Sequence, residues 1–291
     1  MINVSQFWDF MIARETIRLR RLAGASPSEW TADPIFQTCS FTNVKRSHDR
    51  VTALLMAEFY TDHQCIHPSP EALLNAAIFR YHGTIASARA HGWTNAWDST
   101  ARQRMIDTNA ARMALGNVFT SAYIIPSCGD PRPKREVVAD IIDSIWSIAE
   151  QVVSSTTSWQ VLCDRLKIAW GVGSFMAKEM LLDYFLICGW EPDDWQTWTP
   201  VGPGARRGAA IVKHSAMVSM SERNALGIIR ELYAGHHEYW PATYVKLDLT
   251  DIQFQLCEFA KYVKVQNGAG RPRRKFRPTI DDVTYQGSAG A

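Results

Sequence analysis

The sequence lacks the features that mark membrane, secreted and cysteine-ligated metal proteins. No apolar run reaches the roughly 18 residues of a membrane-spanning helix, and the opening stretch MINVSQFWDF has no basic region typical of a signal peptide. The six cysteines include no Cys-x-x-Cys pair, which argues against zinc-ribbon and four-cysteine iron–sulfur patterns. We therefore expect a cytoplasmic protein with buried, reduced thiols and no metal site.

An excess of charge of one sign is also missing. The chain has 31 Lys plus Arg against 29 Asp plus Glu, and 46% of its 291 residues are hydrophobic. This balance excludes a disordered polyelectrolyte and indicates a globular protein. The basic residues are nevertheless clustered, for example in RPRRKFR at 271–277. Such patches suit a polyanionic partner, although solvated helix faces and a basic tail would give the same pattern.

Alternating β-branched runs, which are typical of half-buried strands, are almost absent. Apolar residues recur instead at three- and four-residue steps, so the sequence predicts an all-α fold. The predicted helices are 5–23, 48–61, 70–90, 99–116, 134–153, 158–169, 174–187, 219–234 and 250–264. We expect loops at 24–36 and 189–205. A single helical domain of two intertwined lobes is predicted over 1–264, followed by a basic, flexible tail over 265–291.

The segment LKIAWGVGSFMAKEMLLDYF at 166–185 predicts a helix–hairpin–helix contact with DNA. Gly171 and Gly173 allow a tight turn and leave backbone N–H groups bare at the helix that starts at Ser174, which is an anion site suited to a DNA phosphate. Lys178, one turn further on, is expected to follow a phosphate. An ordinary turn between two helices would show the same glycines.

Two acidic residues follow this hairpin in a tryptophan-rich loop. Asp193 and Asp194 lie about twenty residues after it, at the distance where helix–hairpin–helix DNA glycosylases carry a catalytic aspartate. Phe175 stands where lyase-competent members of that superfamily carry a lysine, so Schiff-base chemistry is not expected. The next stretch, VGPGARRGAA at 201–210, predicts a second glycine turn that presents Arg206 and Arg207 to a phosphate or to solvent.

Several blocks in a fixed order resemble a known family of phage enzymes. They are Phe7-Trp8 with Arg14-Glu15, Trp30-Thr31-x-Asp33-Pro34-Ile35, Phe41-Thr42-Asn43-Val44-x-Arg46, Asp49-Arg50-Val51-Thr52, the glycine hairpin, Gly202-Pro203-Gly204-Ala205-x-x-Gly208, and Asp251-x-Gln253-x-x-x-Cys257-Glu258. Together they resemble the α-glutamyl/putrescinyl-thymine pyrophosphorylases, or amino acid:DNA transferases, and the helical domain fused to 5-hydroxymethyluracil DNA kinase. Ser40 departs from the pattern, because an arginine is expected before the Phe-Thr-Asn block.

The resemblance implies a glycosylase-like helical fold and a reaction on thymidine in phage DNA within the host cytoplasm. A kinase first converts the 5-hydroxymethyl group of a uracil to a pyrophosphate ester, and the transferase then displaces pyrophosphate with an amine. The implied partners are double-stranded DNA carrying the pyrophosphorylated base, a free amino acid or polyamine, and the kinase. No G-x-x-x-x-G-K-[ST] phosphate loop occurs in the sequence, which argues against the kinase activity itself.

The implied chemistry assigns roles to particular side chains. The target base must leave the stack, and Trp30, Trp195 and Trp198 are candidates to hold it. Pyrophosphate needs cations, and the candidates are Asn43 with Arg46 and Arg50, which would share a helix face if a helix runs there; a magnesium ion could also meet this charge.

The attacking amine needs a general base, and the amino acid's carboxylate needs a cation. Asp194 or Asp193 is the first choice for the base, and Glu258 or Asp251, seven residues apart on one helix, is the second. Arg206 or Arg207 fits the carboxylate by residue type. Two other functions remain open: a monofunctional helix–hairpin–helix DNA glycosylase that removes a modified pyrimidine, and a non-catalytic DNA-binding partner of the kinase.

Overall fold

The computed structural model describes residues 3–63, 69–120, 124–154, 157–214, 218 and 220–269. Within these ranges the regular structure is helical and contains no β-strand, which confirms the all-α prediction. None of the helices in the described ranges is long and apolar enough to cross a membrane. The predicted basic cluster at 271–277 lies outside the described residues.

Most of the α-helices lie within the predicted helical segments. The helix bounds are α1 Val4–Leu22, α2 Pro34–Thr38, α3 Arg50–Leu55, α4 Pro70–His82, α5 Ile85–His91, α6 Ser99–Met113, α7 Lys134–Trp146, α8 Ala149–Val153, α9 Trp159–Leu166, α10 Ser174–Cys188, α11 Pro203–His214, α12 Glu222–Ala234 and α13 Leu249–Gln266. Helices α2 and α11 do not lie within them, and the predicted segments 70–90 and 134–153 each contain two helices. A π-helical turn, Met56–Tyr60, follows α3, and short 3₁₀ turns occupy Pro27–Glu29, Arg46–His48 and His236–Glu238.

The chain forms two compact units. The first combines residues 1–50 with 195–291, and the second is residues 51–194. The first unit thus contains α1, α2 and α11 to α13, whereas α4 to α10 belong to the second.

Local capping explains where the structure departs from the predicted helix bounds. The helix predicted over 70–90 is two helices, because Gly83 ends α4 in the left-handed conformation at φ 62° and the Thr84 side chain then caps α5. In the predicted loop 24–36, the Asp33 carboxylate accepts the Ile35 N–H at 2.7 Å and starts α2. The predicted glycine turn at 201–210 is wrong, since α11 begins at Pro203.

The first unit is built on an aromatic cluster that joins α1, α2 and α13. The Phe10 ring of α1 lies 5.3–5.8 Å from four others, those of Phe36, Phe41, Phe259 and Tyr262. Phe10, Phe36 and Phe259 are all buried. Aromatic pairs at this spacing add to the stabilisation from buried apolar area, so the cluster fixes the segment around Phe41 against both long helices.

Helices α11 and α13 cross at glycines of the Gly-Pro-Gly block. A Cβ atom built on Gly208 would lie 2.0 Å from the Leu256 carbonyl oxygen, and one on Gly204 would lie 2.2 Å from Cys257 Sγ. Because the Leu256 oxygen is backbone, relief at Gly208 requires the helices to separate. The glycines are therefore needed for close helix packing.

Replacement of Gly208 by alanine is expected to lower the free energy of unfolding by about 1–3 kcal/mol, because overpacking exceeds the gain in helix propensity. Chemical denaturation followed by circular dichroism measures it. Gly227→Ala on α12 is the matched control, since nothing lies within 4 Å of a Cβ built there; it should be neutral or stabilising. Equal effects of the two replacements would contradict the close crossing.

The second unit contains a buried ion pair between α4 and α10. Asp183 is 0% exposed and Arg80 is 4% exposed. The guanidinium is bidentate on the carboxylate: Nη2 donates to Oδ1 at 2.6 Å and Nε donates to Oδ2. Tyr60 donates its hydroxyl to the same carboxylate at 2.9 Å, and Arg80 also donates to Thr52. These bonds satisfy the charges that burial would otherwise leave uncompensated.

Candidate active site

The first unit contains a partly open cavity of about 100 Å³, lined in part by residues of the N-terminal motif blocks. Its lining residues are Arg14, Ile17, Arg21, Pro27, Trp30, Thr31, Phe36, Gln37, Cys39, Phe41 and Asn43. Two arginines and no acidic side chain occur in this set. The lining therefore favours an anion with some apolar surface.

Helix α1 and the segment after it hold these groups in place. Arg14 and Arg21 are seven residues apart and so share a face of α1. The Arg14 guanidinium lies 5.6 Å and 5.5 Å from the ring centres of Phe36 and Phe41, and that of Arg21 lies 4.9 Å from the Trp30 ring. Cation–π contact keeps both guanidiniums close to the aromatic walls.

Trp30 and Asn43 are the sequence-predicted residues that line this cavity. The Trp30 indole N–H donates to the Ala25 carbonyl at 2.7 Å, and the Asn43 amide donates to the His48 carbonyl. Both polar ends are thus used to fix the local chain. Arg14 and Arg21 of α1 supply the positive charge of the lining.

The surroundings of the Arg14 guanidinium disfavour its positive charge. Its Nη2 donates to the carbonyls of Phe41 and Thr42 at 2.9 Å and 3.1 Å, whereas its buried Nε has no hydrogen-bond partner among the described residues. Burial, with a smaller contribution from the charge of Arg21, lowers the pKa of Arg14 to about 10 despite the opposing charge of Glu258. A bound anion would relieve the repulsion between the two guanidiniums.

Glu258 lies beside the same segment, on α13. Its Oε2 accepts the Thr42 N–H at 3.2 Å and the Lys261 ammonium at 3.0 Å. No described residue donates a hydrogen bond to its Oε1. The Oε1 atom of Glu258 can therefore accept a hydrogen bond from another donor.

Lys261 brings a cation to the position where the resemblance led us to expect an arginine. Its ammonium donates to the Ser40 carbonyl and lies 4.5 Å from the centre of the Phe41 ring. The segment around Ser40 therefore has a positive charge nearby, although Ser40 stands where an arginine was expected. The sequence alone did not indicate that Lys261 replaces this charge, because Lys261 lies on α13, far from Ser40 along the chain.

The Asp251 carboxylate is buried and binds the start of α13. Its Oδ2 accepts the Asp248 N–H at 2.8 Å and the Lys45 ammonium at 3.2 Å, in a capping box that starts α13. Burial raises the pKa of Asp251 to about 6, against the opposing charge of Lys45. The lysine ties the segment that carries Asn43 to the N-terminus of α13.

The structure separates several residues that the sequence grouped together. Arg46 lies in a 3₁₀ turn and Arg50 begins α3 after the extended Asp49, so no helix runs through both residues and the condition for a shared helix face is not met. Arg46 instead lies 5.7 Å from the Phe254 ring centre. On α11, Arg206 Nε donates to the Met220 carbonyl and Arg207 is exposed.

The remaining tryptophan candidates belong to the first unit but not to the cavity lining. Trp195 and Trp198 are both partly buried in the stretch before α11. Their predicted role in holding the base stays a prediction. No group of three or more His, Cys, Asp and Glu that could bind a metal occurs in the described part of the chain.

In the second unit, α9 and α10 are joined by the predicted glycine turn. Gly171 has φ 77°, and a Cβ there would lie 2.5 Å from Ile141 Cγ1, so the position requires glycine. Gly173 precedes Ser174 at the start of α10 without a side-chain cap, and Trp170 and Phe175 are exposed on either side of the turn.

Lys178 does not lie at the surface of this turn. It is 4% exposed, and its ammonium lies 3.3 Å from a Glu179 carboxylate oxygen. A DNA phosphate could not reach a cation buried in this way, so the structure does not favour the predicted phosphate contact. The backbone groups of the turn remain as the candidate contact.

The two acids that follow the hairpin tie the chain to α9. Asp194 Oδ1 accepts the Trp159 N–H at 2.6 Å, and its Oδ2 accepts the Gln160 N–H at 3.0 Å and the Ser158 hydroxyl at 2.9 Å. Asp193 accepts a hydrogen bond from the Thr157 hydroxyl. Both oxygens of Asp194 therefore serve a helix start in this geometry.

Comparison with known proteins gives the family of the chain. Residues 2–271 match the family described as the helical domain of 5-hmdU DNA kinase. The 5-hmdU DNA kinase of Bacillus phage SP10 is 26% identical to this chain over an alignment of 315 residues. The alignment covers 96% of this chain and 49% of the relative, so the chain spans about half the length of that protein. No solved structure matches the chain. The cavity, Glu258 and the hairpin all lie in the matched range, and the chain belongs to the family of the helical domain of 5-hmdU DNA kinase.

Proposed function

We propose that this protein is a transferase of phage thymidine hypermodification that acts on 5-pyrophosphoryloxymethyl-deoxyuridine in DNA. The nitrogen of an amine attacks the 5-methylene carbon, where a C–N bond forms as the C–O bond to pyrophosphate breaks. Pyrophosphate leaves with the electron pair of that bond, and a base on the protein takes the amine proton. The family relation supports a place in this pathway, and the missing phosphate loop argues against the phosphorylation step.

The observation that carries the proposal is a cavity lined by two arginines next to a carboxylate with an unengaged oxygen. Arg14 and Arg21 line the cavity without an acidic neighbour in the lining. Glu258 binds Thr42, the residue between two lining residues, Phe41 and Asn43. Amine transfer needs both elements, since a cation must meet the anionic reactants and a base must accept the proton.

Glu258 is the best placed of the four predicted bases. Asp194 uses both oxygens to cap α9, and Asp251 is fully buried against Lys45. Glu258 is only partly buried and retains Oε1 for the amine. A general base must come within hydrogen-bond reach of the proton that it removes, and an accessible oxygen meets this condition.

The glycine turn of the second unit supports a DNA substrate. The N-terminus of α10 suits a phosphate, and exposed Trp170 and Phe175 can pack against sugars or bases. Extrusion of the target base would expose the 5-methylene carbon to the amine. Trp195 and Trp198, which lie outside the cavity lining, remain candidates to hold the ring.

The proposal is tested with an oligonucleotide duplex that contains 5-pyrophosphoryloxymethyluracil, the purified protein and a mixture of the twenty amino acids with polyamines. Digestion to nucleosides and mass spectrometry should reveal a new nucleoside in which the amine replaces pyrophosphate. Release of a free base with an abasic strand would instead establish a glycosylase. Salt-sensitive binding to DNA without any change in the nucleosides would indicate a DNA-binding partner of the kinase.

A further inference from the structure

We infer that the cavity around Arg14 and Arg21 is the carboxylate subsite of the amine donor, and that Arg14 with Glu258 selects a free α-amino acid over a simple amine. This assignment rests on the proposed function. It replaces Arg206 and Arg207 as the cations for the carboxylate.

The charge of the cavity matches one small carboxylate. The two guanidiniums are the charged groups of its lining. Arg14 donates to the Phe41 and Thr42 carbonyls through Nη2, and no described residue accepts a hydrogen bond from its Nη1. A carboxylate oxygen in the cavity would accept a charge-assisted hydrogen bond from Nη1, and the anion would offset the repulsion between Arg14 and Arg21.

The size of the cavity suits the carboxylate end of an amino acid. A cavity of about 150 Å³ accommodates benzene, and this one has about 100 Å³. A thymine ring or a pyrophosphate group is larger than benzene, whereas a carboxylate with its first carbon atoms is smaller. The apolar walls contributed by Ile17, Phe36 and Phe41 suit those carbons.

The positions of Arg14 and Glu258 fit the two charged ends of an amino acid. Arg14 donates to the carbonyl of Thr42, and Glu258 accepts the N–H of the same residue. The two opposite charges are therefore both held at Thr42, and a free α-amino acid carries the two opposite charges that they would attract. A polyamine offers no anion to the arginines, which would repel its positive charges.

The pairing of Arg14 with Glu258 also identifies the group that accepts the amine proton. Glu258 Oε1 would accept the proton of the amine as its nitrogen bonds to the 5-methylene carbon, while the guanidinium of Arg14 holds the carboxylate. Neither Arg206 nor Arg207 offers this pairing, because Arg206 donates to the Met220 carbonyl and Arg207 is exposed on α11.

The test compares each of the twenty amino acids with the amine that lacks its α-carboxylate, in the transfer assay with wild-type protein. The wild type should use an amino acid and not its decarboxylated partner. Arg14→Gln should lower kcat/KM for that amino acid about 30-fold, in line with the loss of hydrogen bonds to a charged group, and change use of the matched amine less than about twofold. Arg14→Lys should recover part of the loss.

Arg223→Gln is the matched control, since Arg223 is exposed on α12, and it should behave as wild type. Because Arg14 also binds two carbonyls, Arg21→Gln provides a second variant that leaves those bonds in place and should act in the same direction. Equal losses with amino acid and amine, or a wild type that prefers a polyamine, would overturn the inference and leave the transferase standing.

Calorimetric titration without DNA separates this inference from the proposed function. If no amine is transferred at all, the proposed function fails. Binding of a free amino acid that Arg14→Gln abolishes would still support the carboxylate subsite. Binding of inorganic pyrophosphate alone, or of neither ligand, would overturn it.

Discussion

Replacement of Glu258 by glutamine is expected to slow amine transfer about 1,000-fold, within the roughly 10²–10⁴-fold range of general-base catalysis. Glutamine keeps the size of the side chain and an oxygen for the Thr42 N–H, but it cannot accept the amine proton. Initial rates of pyrophosphate release at saturating amine measure the effect. Thermal unfolding should show that the variant remains folded.

Asp194→Asn and Asp251→Asn distinguish Glu258 from the other candidate bases. In the first variant the new amide oxygen would still accept a hydrogen bond at the start of α9, and in the second the amide would weaken the contact with Lys45. We expect both variants to lose stability and to keep turnover within about tenfold of wild type, below the usual effect of removing a base. Loss of turnover in Asp194→Asn with full activity in Glu258→Gln would return the base to the acid favoured by sequence distance.

Replacement of Asp183 by alanine is expected to lower the free energy of unfolding of the second unit by about 3–5 kcal/mol. The change leaves the Arg80 guanidinium buried without its counterion and removes the acceptor of the Tyr60 hydroxyl. Total stabilities are typically about 5–15 kcal/mol, so a loss of this size should expose the unit to partial unfolding. Hydrogen exchange of the amides of α4 and α10 measures it directly.

Asp164→Ala is the control for this prediction. Asp164 pairs with Lys167 on the surface, where ion pairs contribute about 0–1 kcal/mol, so its loss should change little. A double variant, Asp183→Leu with Arg80→Met, should recover much of the stability because it leaves no buried charge. Similar exchange in Asp183→Ala and Asp164→Ala would show that the buried pair is not a main support of the unit.

The predictable part of the fold was the part governed by short-range periodicity. Apolar spacing indicated most of the helices, and the predicted helix 5–23 corresponds to α1, Val4–Leu22. Helix α11 was missed because Pro203, Gly204 and Gly208 look like turn residues. Only the three-dimensional crossing with α13 shows that these glycines make room for a neighbouring helix.

The site was only partly predictable because its groups come from distant segments. The motif blocks pointed to Trp30, Asn43 and Glu258, and the structure places these near the same segment of the first unit. Arg14 was ambiguous from spacing alone, since its hydrogen-bond acceptors lie 27 and 28 residues further along the chain. Asp194 ranked first by its distance from the hairpin, and that distance could not reveal its capping bonds.

The central claim, that the protein joins an amine to DNA with loss of pyrophosphate, is tested most directly by product stoichiometry. The pyrophosphorylated duplex would be mixed with excess protein and a ¹⁵N-labelled amino acid donor, and pyrophosphate and labelled nucleoside would be quantified over time. The account predicts that both appear at the same rate and in equal amounts. Release of pyrophosphate with 5-hydroxymethyluridine as the sole nucleoside product, or of a free base without pyrophosphate, would contradict it.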